Sequence, residues 1–207
     1  MKSLELFAGT QSFSKGLLRA CTADATTLDI LPRFKPTIRV DILKWDYTQL
    51  PPGSFDIIWC SPPCTEYSSA KTRGTRNLEL ADSLVRKCFD IIDYFKPKVW
   101  IIENPATGLL PRRITAIRLG IAEPSIADYC AYGKPYRKRT AFWSNLPFQL
   151  GMCSVYCPFI KDGRHISIVG GTGNNQSQVR NIWERDSIPD ALIDKMVIQI
   201  LEFCSRA

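Results

Sequence analysis

Apolar residues come in short blocks along this chain, and most blocks end in an acid, a cysteine or a turn of small residues. SLELF (3–7), ATTLDI (25–30), TIRVDI (37–42), FDIIWCS (55–61) and KVWIIEN (98–104) have the length and β-branched content of strands. The first runs into the turn AGTQS and then into FSKGLLRAC, which suits a helix. Between the last two lies LELADSLVRKCFDIIDYF, with Leu80, Leu84, Cys88, Ile91 and Phe95 at helical spacing and Lys96-Pro97 as its stop. Strands separated by helical segments predict an α/β fold: a doubly wound, mostly parallel sheet with helices on both faces. Ligands of such sheets sit at the carboxyl ends of the strands.

Later in the chain the pattern changes. SIADYCAYG and RKRTAFWS read as two strands of an antiparallel hairpin around a basic loop, and residues 149–182 show little periodicity and read as a loop-dominated insert. Ser187 with Asp190 reads as a capping box, Pro189 falls in the first turn, and Leu192, Met196, Ile200 and Cys204 form one stripe of a terminal helix. The expected organisation is a catalytic domain over 1–148, a short insert over 149–186 and a closing helix over 187–207.

Composition adds limits. Of 207 residues, 45% are hydrophobic and 23% charged, which fits a globular chain and excludes a disordered or fibrous one. No apolar run approaches the length of a membrane span, and Glu5 interrupts the stretch a signal peptide would need, so a non-secreted, cytoplasmic protein is expected. Its eight cysteines are then expected to be buried, catalytic or metal-binding rather than paired. A net charge of +7 favours a polyanionic partner, and the basic residues cluster at Lys71, Arg73 and Arg76, at Arg112 and Arg113, and at Lys134, Arg137, Lys138 and Arg139. A solvated basic face is the alternative reading.

The chemistry concentrates at strand ends. Phe7-Ala8-Gly9-Thr10 follows a strand and precedes a helix, where backbone can approach a ligand closely. Asp29 can accept hydrogen bonds from a ribose diol and Asp41 from an adenine amino group, although strand ends and turns also favour acids for local reasons. In Cys60-Ser61-Pro62-Pro63-Cys64 two prolines stiffen the backbone before a cysteine at the rim of the sheet, the position of a nucleophile. One strand later, Glu103-Asn104-Pro105 places an acid where it can meet Cys64. A thiol beside a carboxyl makes sense if sulfur attacks a ring while one ring nitrogen receives a hydrogen bond or proton.

LELFAGT, SPPC followed by YS, ENP and YGKPYRKR, in this order, resemble the motifs of the cytosine-C5 DNA methyltransferases, in a compact form like those of phages and large viruses. The resemblance implies a Rossmann-like sheet that binds S-adenosylmethionine through Phe7, Gly9, Asp29, Asp41, Ile42 and Pro62. It implies Cys64 as the nucleophile that adds to cytosine carbon 6, Glu103 as the contact to ring nitrogen 3, and Arg137 and Arg139 as supports of the base, Glu103 or a phosphate. The target base would be flipped out of DNA, and a loop carrying Ser68, Lys71, Arg73 and Arg76 would close over it. The insert is short beside the recognition regions of the family, which fits low sequence specificity, a specificity partner or another nucleic acid. RNA cytosine methylation and a silent DNA-binding module on the same fold are the alternatives, and an oxidoreductase would leave the proline-proline-cysteine motif unexplained.

Within the insert, Cys153, Cys157 and His165 lie at C-x3-C-x7-H spacing, and Cys130 is available from the preceding hairpin. Four such ligands form a tetrahedral structural zinc site; the alternative is four unliganded side chains.

Overall fold

The computed structural model describes residues 1–169, 177–179 and 181–206. Seven strands form one sheet: β1 (Lys2–Leu6), β2 (Asp24–Asp29), β3 (Ile38–Arg39), β4 (Ile57–Cys60), β5 (Val99–Pro105), β6 (Ser125–Asp128) and β7 (Arg139–Ser144), in spatial order β3-β2-β1-β4-β5-β7-β6. The first five are parallel, while β7 runs antiparallel between β5 and β6. The chain thus forms the mostly parallel α/β sheet with a late antiparallel hairpin.

Each strand feeds two cores by alternation. Leu4, Leu6, Ile58, Cys60, Ile102, Ala141 and Trp143 face α2 (Leu78–Phe95) and α3 (Leu110–Ile117). Ile57, Trp59, Val99, Ile101 and Phe142 face α1 (Ser12–Ala20) and a long terminal helix, Asp190–Arg206. Because both faces are covered, β4 reads as an unbroken apolar run, Ile57-Ile58-Trp59-Cys60, every residue buried.

Several local expectations change. TIRVDI contributes only Ile38 and Arg39 to the sheet, since Asp41 caps a 3-10 turn at Ile42–Lys44 through Leu43 N–H. Leu80, at the start of the α2 stripe, is exposed, while Cys88, Ile91 and Phe95 are buried as expected and Ala81, Val85, Phe89 and Ile92 widen the buried face. Ser187 closes a short helix, α4 (Ile182–Asp186), and its hydroxyl donates to Glu184 O, so it forms no capping box with Asp190. The terminal helix, α5, begins at Asp190, with Leu192, Met196 and Ile200 buried as the stripe requires. The insert also contains a hairpin, β8 (Ile160–Lys161) with β9 (Arg164–His165), turned by Asp162 and Gly163, both at positive φ. An Asp-Gly pair is a strong signal for that two-residue turn.

Glu5 lies inside the core on the α1 side, only 3% exposed, and accepts hydrogen bonds from Phe13 N–H (3.3 Å) and Ser14 N–H (3.0 Å) at the start of α1. Burial raises its pKa from 4.5 to about 7, the helix amides pulling the other way. A carboxyl whose folded pKa is raised stabilises fully below its unfolded value and loses that contribution as pH climbs through the folded one. Stability should therefore fall by a few kcal/mol between about pH 4.5 and pH 7, because each pH unit crossed in that window costs up to about 1.4 kcal/mol. Glu5→Gln keeps an acceptor and removes the charge, so thermal denaturation of this variant should show a flatter pH dependence over that range; identical profiles would contradict the assignment.

Candidate functional site

Two neighbouring features occupy the carboxyl end of the parallel strands. The first is a cleft of about 220 Å³ lined by Phe7, Leu28, Asp29, Ile30, Val40, Asp41, Ile42, Leu43, Pro63, Leu80 and Leu84. Ile30, Leu43 and Leu80 are exposed apolar side chains converging on one slot, an arrangement that suits a flat apolar ligand group. The turn beside it holds Phe7, Gly9 and Gln11 at positive φ. Asp29 anchors this turn: Oδ2 accepts from Gly9 N–H at 2.9 Å and Oδ1 from Leu31 N–H at 2.8 Å. Each carboxylate oxygen retains a second acceptor site, so Asp29 can still take two hydroxyls of a diol. Gly9 shapes the turn from behind and is not among the lining residues; Pro63 lines the cleft while Pro62 is buried next to it.

The second feature joins the ends of β4 and β5. Their register sets Cys60 beside Ile102, so the segment carrying Cys64 leaves β4 next to Glu103, which β5 still holds in register with Phe142 of β7. Asn104 Nδ2 donates to Pro62 O at 2.8 Å and ties the two segments together. Burial pushes the Cys64 thiol above its ordinary pKa, the Glu103 charge adds to this, and Lys138 opposes it. Glu103 is likewise raised by burial, with Lys138 and the Ser61 hydroxyl pulling it down. A thiol, a carboxyl inclined to hold its proton, one ammonium and the Asp186 carboxylate, which adds to the rise of both, thus act on one another at the carboxyl end of the central strands.

That ammonium belongs to Lys138, which sequence reasoning placed only in a basic cluster. Its Nζ donates to Arg185 O at 3.0 Å and lies 5.2 Å from the centre of the Tyr129 ring, which is buried beneath the site. Arg137 and Arg139, expected to support the base, Glu103 or a phosphate, have other neighbours. Arg139 donates from Nε (3.0 Å) and Nη2 (2.8 Å) to fully buried Asp128, its direct neighbour across β6 and β7, and Arg137 lines a separate cavity with Tyr136, Arg164 and His165. Residues alternate sides along a strand, so 138 and 139 face opposite ways; counting from Thr140, whose side chain is buried, would have identified Lys138.

The segment after Cys64 is built around buried side chains. Tyr67 OH donates to Asp82 at 2.8 Å, and Arg113 forms a two-pronged pair with the same carboxylate. Burial alone would raise Asp82, but these hydrogen bonds hold it below its ordinary pKa. Gly108 meets the Tyr67 carbonyl so closely that an added Cβ would stand 3.1 Å from it. Of the four expected nucleic-acid contacts, Lys71 pairs with Glu66 at 2.6 Å and Arg76 donates to the carbonyls of Glu66 and Lys71 at 2.6 and 2.8 Å, so both shape the segment internally. Ser68 Oγ accepts from Ala70 N–H, and Arg73 is exposed.

Cys130, Cys153, Cys157 and His165 come together from three parts of the chain, all ligand atoms lying within 4.8 Å of one another. Among the described residues, no helix is long and apolar enough to cross a membrane.

Comparison with known proteins fits this geometry. Residues 1–113, which contain LELFAGT, SPPC and ENP, match the C-5 cytosine-specific DNA methylases. The chain is 31% identical over 229 residues to the probable DNA (cytosine-5)-methyltransferase of Frog virus 3 (isolate Goorha), covering 99% of this chain and 100% of that protein. It is similar in fold to a putative DNA modification methyltransferase encoded within an E. coli prophage, with a TM-score of 0.53, 18% identity, 70% of this chain covered and 46% of the other.

Asp82→Ala removes the acceptor shared by Tyr67 and Arg113 and leaves both donors inside. Urea denaturation should show a loss of about 2 kcal/mol, and limited proteolysis should cut faster within residues 65–76. Unchanged stability and cleavage would contradict the role given to this network.

Proposed function

Because the chain belongs to the C-5 cytosine-specific DNA methylase family, we propose that it transfers a methyl group from S-adenosylmethionine to carbon 5 of cytosine in DNA through a covalent Cys64 adduct. The observation that carries this reading is the convergence of Cys64, Glu103 and Lys138 beside a cleft suited to a nucleoside.

The cleft fits S-adenosylmethionine by its donor set. Asp29 would hold the ribose hydroxyls, and Phe7, Ile42 and Leu43 offer apolar surface for adenine, with Asp41 as acceptor for its amino group. When bound, the group supplies an electrophilic methyl carbon. Pro63 belongs to the wall and immediately precedes Cys64, which supports a nucleophile beside the ligand.

In this mechanism Glu103, whose protonated form burial favours, donates to cytosine nitrogen 3 and draws electrons from the ring. The Cys64 thiolate forms a bond to carbon 6, and the electron pair displaced toward carbon 5 would form the bond to the methyl group as the methyl–sulfonium bond breaks, its electrons staying on sulfur in the departing S-adenosylhomocysteine. Loss of the carbon 5 proton to a base then re-forms the double bond and expels Cys64, while nitrogen 3 returns its proton to Glu103. Lys138 stabilises the thiolate before attack. Glu103 is 9% exposed and cannot reach a base within a duplex, so the target leaves the stack. Arg73 and Ser68 would meet the phosphate backbone, while Lys71 and Arg76 keep their segment in shape. The insert over 149–186 offers little surface for reading bases, which favours a short recognition site or help from a partner.

The test is methyl-labelled S-adenosylmethionine with matched DNA and RNA oligonucleotides, read by nucleoside mass spectrometry. Label should appear as 5-methyldeoxycytidine and vanish in Cys64→Ala. Label confined to RNA, or persisting in Cys64→Ala, would overturn the reading. Turnover should rise with pH as the raised Cys64 thiol ionises. Removing the ammonium in Lys138→Met should move this rise to higher pH and slow turnover at neutral pH by about 10²-fold, with partial recovery in Lys138→Arg. An unshifted pH profile would exclude Lys138 from the thiolate's environment.

A further inference from the structure

We propose that Cys130, Cys153, Cys157 and His165 bind a structural zinc ion that fastens the insert to the hairpin carrying the site's basic residues. The proposal is independent of the transfer reaction. The geometry already has the dimensions of a coordination sphere. His165 Nε2 lies 3.6 Å from both Cys153 Sγ and Cys157 Sγ. In a tetrahedron with Zn–S of about 2.3 Å and Zn–N of about 2.0 Å, the S–N edge is about 3.5 Å. Cys130 completes a set of three sulfurs and one nitrogen within 4.8 Å.

Between its two ends, where Leu150 and Val169 pack on the core, the insert has few apolar contacts. Met152, Val155, Tyr156, Ile160 and Ile166 are exposed, with Tyr156 at 91%, and only Phe159 is half-buried, so the segment spanning the ligands turns most of its apolar side chains outward. A segment this short gains its order from a cross-link, and a metal supplies one without oxidation of the thiols. The four ligands reach across sequence: Cys130 follows β6, Cys153 and Cys157 flank a turn, and His165 ends β9.

Second contacts pass from this cluster toward the site. Cys153 N–H donates to Asp128 Oδ2 at 2.9 Å, the carboxylate that also holds Arg139. Ser167 N–H donates to Pro135 O at 3.1 Å, so the segment just past His165 grips the basic loop. Cys130 adjoins Tyr129, and Arg139 adjoins Lys138, so both neighbours of the cluster lead directly to the floor and the cation of the site. The ion would act through position, not by touching substrate.

Metal analysis of the full chain, purified without added zinc or chelator, should find about one zinc per chain. The metal should be lost in Cys153→Ser and Cys157→Ser and kept in Cys204→Ser, which alters a cysteine on α5. Cys157→His exchanges one zinc ligand for another and should retain metal, separating loss of a ligand from loss of fold. Cobalt in place of zinc should give the intense visible bands of a tetrahedral thiolate site. Chelation should then accelerate amide hydrogen exchange over residues 129–139 while leaving α2 unchanged. A metal-free native protein whose Cys130, Cys153 and Cys157 thiols react freely, or zinc that survives in both serine variants, would overturn the metal site. Stoichiometric zinc whose removal leaves exchange over 129–139 unaltered would overturn the fastening.

Discussion

The parallel pairing of β4 with β5 governs everything at the working end of this molecule. It sets Cys60 beside Ile102, and the chemistry follows from the next few residues of each strand. One strand enters two prolines and presents Cys64; the other presents Glu103 and then Asn104, whose amide closes the gap by donating to Pro62 O. Sheet hydrogen bonds and apolar packing on both faces fix the strands, so the proline-stiffened end has little freedom. A thiol and a carboxyl are thereby held together in a partly dehydrated corner, where burial raises both. Lys138, delivered by the start of β7, opposes that burial for each.

The same logic governs charges elsewhere. Glu5, Asp82 and Asp128 are buried carboxyls with different partners. Glu5 has helix amides and is pushed toward neutrality, whereas Asp82 and Asp128 each have an arginine and stay below their ordinary pKa. The two arginine-paired acids brace different segments around the site: Asp82 holds Tyr67 and the segment after Cys64, and Asp128 holds the start of β7 and the backbone of Cys153.

Much of this was legible in the sequence because burial on both faces of a parallel sheet leaves continuous apolar blocks, and the strand ends carry the chemistry. The blocks ending in Asp29, Cys60 and Asn104 locate the cleft and the thiol–carboxyl pair, and the stripe from Cys88 to Phe95 gives α2 to its last residue. Legibility failed where a side chain's direction depends on partners distant in sequence. Arg139 and Lys138 are adjacent and both basic, and only pairing with β6 sends Arg139 to Asp128 and leaves Lys138 for the site. Lys71 and Arg76 look like a surface for a polyanion, yet Glu66 and the local carbonyls claim them. In the insert, C-x3-C-x7-H spacing pointed to three of the four clustered side chains, with Cys130 from the hairpin as the fourth, but the Asp162-Gly163 turn that brings His165 back had to be read together with it.

Central to the proposed chemistry is a bond from Cys64 to carbon 6 of a cytosine extruded from DNA. Duplex DNA carrying 5-fluorodeoxycytidine tests it most directly, because fluorine at carbon 5 cannot leave as a proton and the adduct should persist. With S-adenosylmethionine present, one denaturation-resistant protein–DNA complex should form, with its cross-linked peptide mapping to Cys64 by mass spectrometry. Attachment at another residue, or methylation of ordinary DNA with no trapped complex, would contradict it.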